Sequence, residues 1–346
     1  MLLVLTLALA VWFAARRFGV PTDGRWLMLA LLYVVVLALN VALPPGNPLR
    51  QATGGSAGEW LVLGGLGALG WGYSRVLRRV RSRVRPENRT PERAAGTFGE
   101  GELDRYARHI VLREIGGAGQ QRLKRARVLV VGAGGLGSPA LLYLAGAGVG
   151  TLGVVDDDVV ESTNLQRQVI HADARIGMPK VFSAETAIRA LNPNVVVRPY
   201  NRRLTEDIAA GLFEDYDLIL DGTDDFPTRY LVNRTAAARG LPLVAAALSQ
   251  WEGQISLYDV ARGTPCYACV FPEAPAPGLA PTCAEAGVLG PLPGVVGAMM
   301  AVEAVKQVTG AGTTLAGSML IYDALHAESR RIALRRRPGC PVCDAA

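Results

Sequence analysis

A doubly wound, mostly parallel α/β sheet preceded by N-terminal transmembrane helices is the architecture this 346-residue chain predicts, on three observations. Residues 1–74 hold long apolar runs, whereas later residues alternate apolar and charged segments as a soluble domain does. Between Val128 and Leu220, short apolar runs alternate with helical stretches, the order that builds a parallel sheet. Gly132, Gly134 and Gly137 stand in G-x-G-x-x-G spacing between the first such run, Val128–Val131, and the helix-forming stretch Pro139–Ala147. The expected domains are a membrane anchor over 1–74, a basic linker over 75–101 and the α/β domain over 102–346.

Leu2–Ala15 is apolar and closed by Arg16-Arg17, whereas a signal peptide carries its charge before the apolar run. Trp26–Leu43 is uncharged and long enough to span a bilayer, and Pro44-Pro45-Gly46-Asn47-Pro48 ends it. Trp60–Tyr73 is a third, glycine-rich run. Three spans are expected, with two spans and a cleaved or interfacial first segment as the alternative. Gly64, Ala68 and Gly72 recur every fourth residue, a spacing that lets two helices approach closely in lipid. Arginines follow the first and third runs, with Arg50 alone between the second and third. The positive-inside rule then puts the N-terminus outside the inner (cell) membrane and the α/β domain on its cytoplasmic side.

The chain's net charge is +6, and eight arginines against two glutamates give residues 75–93 that whole surplus. The basicity therefore belongs to a membrane-proximal segment that can touch anionic lipid, and no nucleic-acid partner is expected.

Glu102–Glu114 has helical spacing, with Leu103, Tyr106, Ala107, Ile110 and Val111 on one face. Strands are expected at Val128–Val131, Thr151–Val155, Val195–Tyr200 and Asp217–Leu220, with helices at Lys180–Leu191, Thr205–Phe213 and Pro227–Arg239. In such a sheet ligands bind at the carboxyl ends of the strands, where Gly132, Asp156 and Asp224 all fall. Glycines let the backbone pass beneath a phosphate, and the following helix N-terminus offers N–H groups and partial positive charge. Asp156, 24 positions after Gly132, suits a ribose hydroxyl. The turn alone does not separate NAD from ATP.

Four of the five cysteines form two pairs, Cys266-x-x-Cys269 and Cys340-x-x-Cys343. Together they make a tetrahedral S₄ site, closed and structural, suited to Zn²⁺ and tying the C-terminal part back to the domain. A dithiol redox pair is the alternative. Cys283 is left over in a Pro/Gly-rich loop expected from Pro272 to Pro293.

Gly132-Ala-Gly-Gly135-Leu-Gly-Ser138, Asn164-Leu-Gln-Arg167-Gln168, Gly177-Met-Pro-Lys180, Asp221-Gly-Thr-Asp224 and the two cysteine pairs follow one another as in ThiF/MoeB/HesA proteins, prokaryotic relatives of ubiquitin-activating enzymes. The chain resembles that family over about residues 102–343, most of all its molybdopterin-synthase adenylyltransferases; residues 1–74 are not part of the family's pattern. The resemblance implies a Rossmann-like fold and ATP-dependent adenylylation of the C-terminal Gly-Gly carboxylate of a small ubiquitin-like sulfur carrier protein. It also implies roles. Arg167 and Lys180 supply positive charge to the phosphates, Asp224 holds Mg²⁺, Asp156 takes the ribose, Asn164 orients the nucleotide, and Arg108 reaches in from the other subunit of a homodimer. Gly132, Gly134, Gly135 and Gly137 form the phosphate turn. Cys283 falls where some relatives take the carrier as a thioester or acyl-disulfide and others have a dispensable cysteine.

The residues agree with that chemistry. A C-terminal carboxylate is already an anion near neutral pH, so no general base is needed. The difficulty lies in driving one anion onto another, which calls for cations around the phosphates. Arg167, Lys180 and Asp224 suit a triphosphate and a metal better than the nicotinamide of an NAD-dependent oxidoreductase, and their presence argues against a non-catalytic scaffold. Two departures from the family stand out: His109 where Gln is common, and Asp225 where Asn is common, adding negative charge beside the expected metal site.

Overall fold

The computed structural model describes residues 2–18, 22–44, 46–54, 56–83, 97–99, 101–275 and 286–344. The chain divides into two compact units, Met1–Arg89 and Thr90–Ala346.

In the first unit α1 (Leu2–Arg17), α2 (Thr22–Ala42), the short α3 (Pro48–Ala52) and α4 (Ala57–Arg83) pack around a very small core of Val4, Val36 and Trp60. Asn47 caps α3 by accepting the Leu49 N–H at 2.9 Å. Among the described residues only α2 holds a stretch, Gly24–Ala42, long and apolar enough to cross a membrane. The apolar parts of α1 and α4 are some 14 residues each, about 21 Å of helix against a hydrocarbon core of about 30 Å. The expectation of three spans is thereby reduced to one stretch that meets the length requirement. Residues 75–83, read as the start of the linker, continue α4. Gly64 is spent within the chain: a Cβ there would sit 2.0 Å from the Tyr33 hydroxyl of α2. That hydroxyl donates to the Trp60 carbonyl at 2.7 Å.

In the second unit the expected helix over Glu102–Glu114 is two short turns, α5 (Glu102–Arg105) and α6 (Ala107–Ile110), broken at Tyr106. Tyr106 is 2% exposed and accepts a hydrogen bond from Asn192 at 2.8 Å, so tertiary burial overrides the helical run. Then come α7 (Gly116–Arg125), β1 (Arg127–Val131), α8 (Gly137–Ala147), β2 (Thr151–Asp156), α9 (Lys180–Leu191), β3 (Val196–Asn201), α10 (Glu206–Phe213), β4 (Leu218–Asp221) and α11 (Phe226–Ala238). They are followed by β5 (Leu243–Leu248), β6 (Glu252–Tyr258), the single turn α12 (Tyr267–Val270), α13 (Pro291–Thr309), β7 (Ser318–Asp323) and β8 (Glu328–Ala333). The eight strands form one sheet in the order β3-β2-β1-β4-β5-β6-β7-β8. β1 to β4 are parallel, as expected; β5, a strand not expected, adds to the parallel part, and β6 to β8 extend the sheet antiparallel. β1 lies between β2 and β4, where the strand order reverses, so the crevice for a ligand opens at its carboxyl end.

The sheet is buried on both faces over β1, β2 and β4, whose Val, Leu and Ile side chains are almost wholly hidden. One face packs on α8, α9 and α13, the other on α10 and α11. β8 is exposed along its whole length.

Candidate active site and metal centre

β1 ends at Val131, and Gly132 turns the chain with a φ of 92° while donating its N–H to the Val155 carbonyl at 2.8 Å. The turn is closed so tightly that a Cβ on Gly137 would lie 1.9 Å from the Gly132 carbonyl oxygen, which admits only glycine. α8 then starts at Gly137 and aims the positive end of its dipole at the turn. Gly132, Gly134 and Gly135 line a cavity of about 860 Å³, and Gly137 packs beneath them.

The structure brings Asp156, Asn164, Arg167, Lys180 and Asp224 to the wall of this one cavity. Lys180 opens α9 and its side chain is only 6% exposed; its ammonium meets Asp158 at 2.7 Å, and its backbone N–H bonds the Asp158 carbonyl at 2.9 Å. A buried ammonium needs such a counter-charge, and the carboxylate that provides it is mostly in solvent. Asn164 has both ends of its amide engaged, accepting from Arg167 at 2.8 Å and donating to Glu161 at 3.3 Å. In this geometry it aims the Arg167 guanidinium.

Asp156, expected at the ribose, accepts the N–H of Ala133 at 2.8 Å and that of Asp158 at 2.9 Å. It thus pins the glycine turn to β2, and each oxygen keeps a second lone pair for a hydroxyl donor. Burial raises its carboxyl above the ordinary range, against the pull of Lys180 and the two N–H groups.

Asp224 is exposed on the loop after β4. Asp225, expected to add negative charge there, is the N-cap of α11: it accepts the Thr228 N–H at 3.0 Å and pairs with Arg203 at 3.0 Å. Burial raises its pKa, but the bonds from Thr228 and Arg203 outweigh that and hold it below the usual carboxylate value. Its charge is thus committed to the helix and to Arg203, leaving Asp224 as the carboxylate of the pair that a cation would meet. Arg108 lies on α6, exposed and outside the lining of this cavity. Cys283 lies outside the described residues.

Sequence reasoning missed several groups. Arg229 lines the cavity, 5% exposed, and Gln168 lines it at 5% exposed with its buried Oε1 unpartnered. Gln168 was visible inside a quoted motif, whereas Arg229 carries no local signal. Behind the turn, His171 bonds the Ala133 carbonyl and the Ser183 hydroxyl, both at 2.9 Å. The carbonyl only accepts, so Nε2 carries the proton and Nδ1 accepts from Ser183. Burial lowers its pKa to about 4.

The four paired cysteines meet as expected, all buried and free of disulfides, with sulfurs within 4.8 Å of one another. Cys266 lies 3.9 Å from Cys269 and 3.7 Å from Cys340, and Cys269 lies 3.3 Å from Cys343. Tetrahedral Zn–S bonds of about 2.3 Å would put sulfurs about 3.8 Å apart, close to the Cys266 distances, so the four thiols suit a metal. Burial pushes the Cys266 thiol up. Burial acts on Cys340 too, but the N–H groups of Val342 and Cys343 draw it down to about 6.

A glycine turn at the switch point of a doubly wound sheet, cations and carboxylates around one cavity, and a four-cysteine corner define a nucleotide-using class of protein. The ThiF family model matches residues 106–342, and the chain belongs to that family. The N-terminal helices lie outside the match. A sulfur carrier protein adenylyltransferase of Thermus thermophilus is 52% identical over 246 residues, covering 70% of this chain and 91% of that protein. The SAMP-activating enzyme E1 of Haloferax volcanii is 49% identical, over 70% of this chain and 89% of its own length. Among solved structures, E. coli MccB with ATP superposes with a TM-score of 0.61 at 22% identity, covering 71% of this chain and 76% of that one, a likeness of fold.

Proposed function

We propose that this chain is an ATP-dependent adenylyltransferase that activates the C-terminal Gly-Gly carboxylate of a small ubiquitin-like sulfur carrier protein. The observation that carries the reading is the single cavity that gathers the glycine turn, Arg167, Lys180 and Asp224. The names of the Thermus and Haloferax relatives support it. A carboxylate oxygen of the carrier bonds to the α-phosphorus, the bond from that phosphorus to the bridging oxygen of the β-phosphate breaks, and pyrophosphate leaves with the electron pair. The product is a mixed anhydride, open to attack by a sulfur donor in a pathway such as molybdopterin or thiamin synthesis.

The groups of this chain act by position and charge. The backbone N–H groups after Gly132 and the N-terminus of α8 take phosphate oxygens. Lys180 exchanges Asp158 for phosphate, and Arg167, aimed by Asn164, meets the charge that grows on the leaving pyrophosphate. Asp156 holds the ribose. Asp224 would hold Mg²⁺, which when bound screens the phosphate charge. Zn²⁺ in the four-cysteine site is structural.

In the same reading the active form is a homodimer in which Arg108 serves the partner's cavity, in keeping with its place outside its own. α2 anchors the chain in the inner (cell) membrane, and Arg75 to Arg93 keep residues 102–346 on the cytoplasmic side. The test is ATP–pyrophosphate exchange on adding small carriers ending in Gly-Gly. Carrier-dependent exchange is the expected result; nucleotide binding with no exchange for any such carrier would refute the activity.

A further inference from the structure

From the N-cap of α11 onward, polar groups stand at every fourth position, Asp225, Arg229 and Asn233, which puts them in one row along the helix. Asp225 caps the helix. Arg229 is buried and donates from one guanidinium nitrogen to the Thr223 carbonyl, directly before Asp224, and to the Ala246 carbonyl of β5 at 2.7 Å. The guanidinium also lies close enough to the Tyr267 hydroxyl to act on it electrostatically. Asn233 accepts the Tyr267 N–H at 2.9 Å, and its buried Nδ2, unpartnered by oxygen or nitrogen, lies beside Cys266.

Tyr267 joins the two sites. It sits between Cys266 and Cys269 on α12, its ring packs 5.4 Å from that of Tyr230 and 4.9 Å from that of Phe271, and it lines the nucleotide cavity. A buried guanidinium held by carbonyls is an uncommon use of an arginine, since desolvating the charge is costly. What it secures is the peptide that carries Asp224.

We propose that Arg229 is a positioning residue for Asp224, and that Tyr267 makes this positioning depend on the folded four-cysteine turn. Arg229 fixes the Thr223 carbonyl and so the direction of the Asp224 side chain; Tyr267 and Asn233 fix Arg229 and α11 against the cysteine centre. The proposal rests on the adenylylation reading only in assigning Asp224 a cation.

The test uses nucleotide binding, which needs no carrier. ATP affinity of the detergent-solubilised full chain is measured by calorimetry with and without Mg²⁺, beside zinc content and Tm. Arg229→Gln is expected to lose about ten-fold of the affinity that Mg²⁺ adds, as partners of metal ligands do when removed. Magnesium-free binding should stay within about three-fold, with one zinc per chain. Combined with Asp224→Ala it should add nothing, because the arginine acts through that carboxylate. Tyr267→Phe, which deletes one hydroxyl, should lose about three-fold of the same gain and decides the matter if Arg229→Gln does not fold. An undiminished magnesium gain in these variants, independent losses in the double variant, or a loss that merely tracks zinc and Tm overturns the proposal. Failure of pyrophosphate exchange in the wild type would strike the adenylylation reading and leave this binding test standing.

Discussion

The two units use the same apolar residues in opposite ways. In the second, Leu123, Leu129, Leu141, Leu144 and Leu152 are wholly buried. In the first, Leu3, Leu27, Leu61 and Leu69 are each more than half exposed, and among the described residues the core is Val4, Val36 and Trp60. Leucine exposed to water forgoes roughly 2 kcal/mol of burial. The first unit thus leaves its apolar side chains uncovered, whereas the second covers its own.

The sharpest way to break this comparison is to part the units. Residues 102–346 alone are expected in the soluble fraction with exchange activity, while the whole chain goes to the membrane pellet; an insoluble 102–346 fragment would undo the distinction. Within the second unit, Asp224→Ala should cut exchange on the order of 10²- to 10³-fold, the scale of losing one electrostatic group at a reacting centre. Because Asp224 is exposed, Tm should hold, and near-normal exchange would remove it from the site. Cys266→Ser should do the reverse, releasing metal and costing several kcal/mol of stability. A well-folded variant with full metal content would end the S₄ assignment.

A subtler change is with pH. His171 has a folded pKa of about 4, below its unfolded value of about 6.5, so protons favour the unfolded chain. Its contribution is complete above pH 6.5 and is lost as pH falls toward 4, an upper limit of roughly 3 kcal/mol. The melting temperature of His171→Gln should fall less steeply over that window than that of the wild type. The smallest effect should follow Gly64→Ala, which drives a methyl into Tyr33. It should loosen the packing of α2 on α4, read as exposure of Trp60 by fluorescence quenching, and leave exchange unchanged.

The parallel part of the sheet and its glycine turn were legible because doubly buried strands read as short apolar runs, and because only glycine fits at position 137. The antiparallel part was not. β8, with sequence Glu-Ser-Arg-Arg-Ile-Ala, buries nothing, so it carries no apolar signal. α13 begins Pro291-Leu-Pro293-Gly294, which reads as a loop. Yet proline suits a first helical turn, where N–H groups lack intrahelical acceptors. At the site, the motifs shared with the family pointed to Arg167, Lys180 and Asp224. Arg229 stayed hidden because its partners are backbone carbonyls, which no residue type or spacing marks.

β3 and β8 are the two edges of the sheet, and β8 is the one exposed along its whole length. Its outward N–H and C=O groups are a template on which another strand could grow, the start of an aggregate. Arg330 and Arg331 stand opposite Ile321 and Leu320, one on each face, so an incoming copy would meet its own like charges on both sides. Such a guard works through a Debye length of about 8 Å at physiological ionic strength and about 3 Å at 1 M. The colloidal stability of the second unit should therefore fall as salt is raised, the opposite of a protein that salt helps to keep apart.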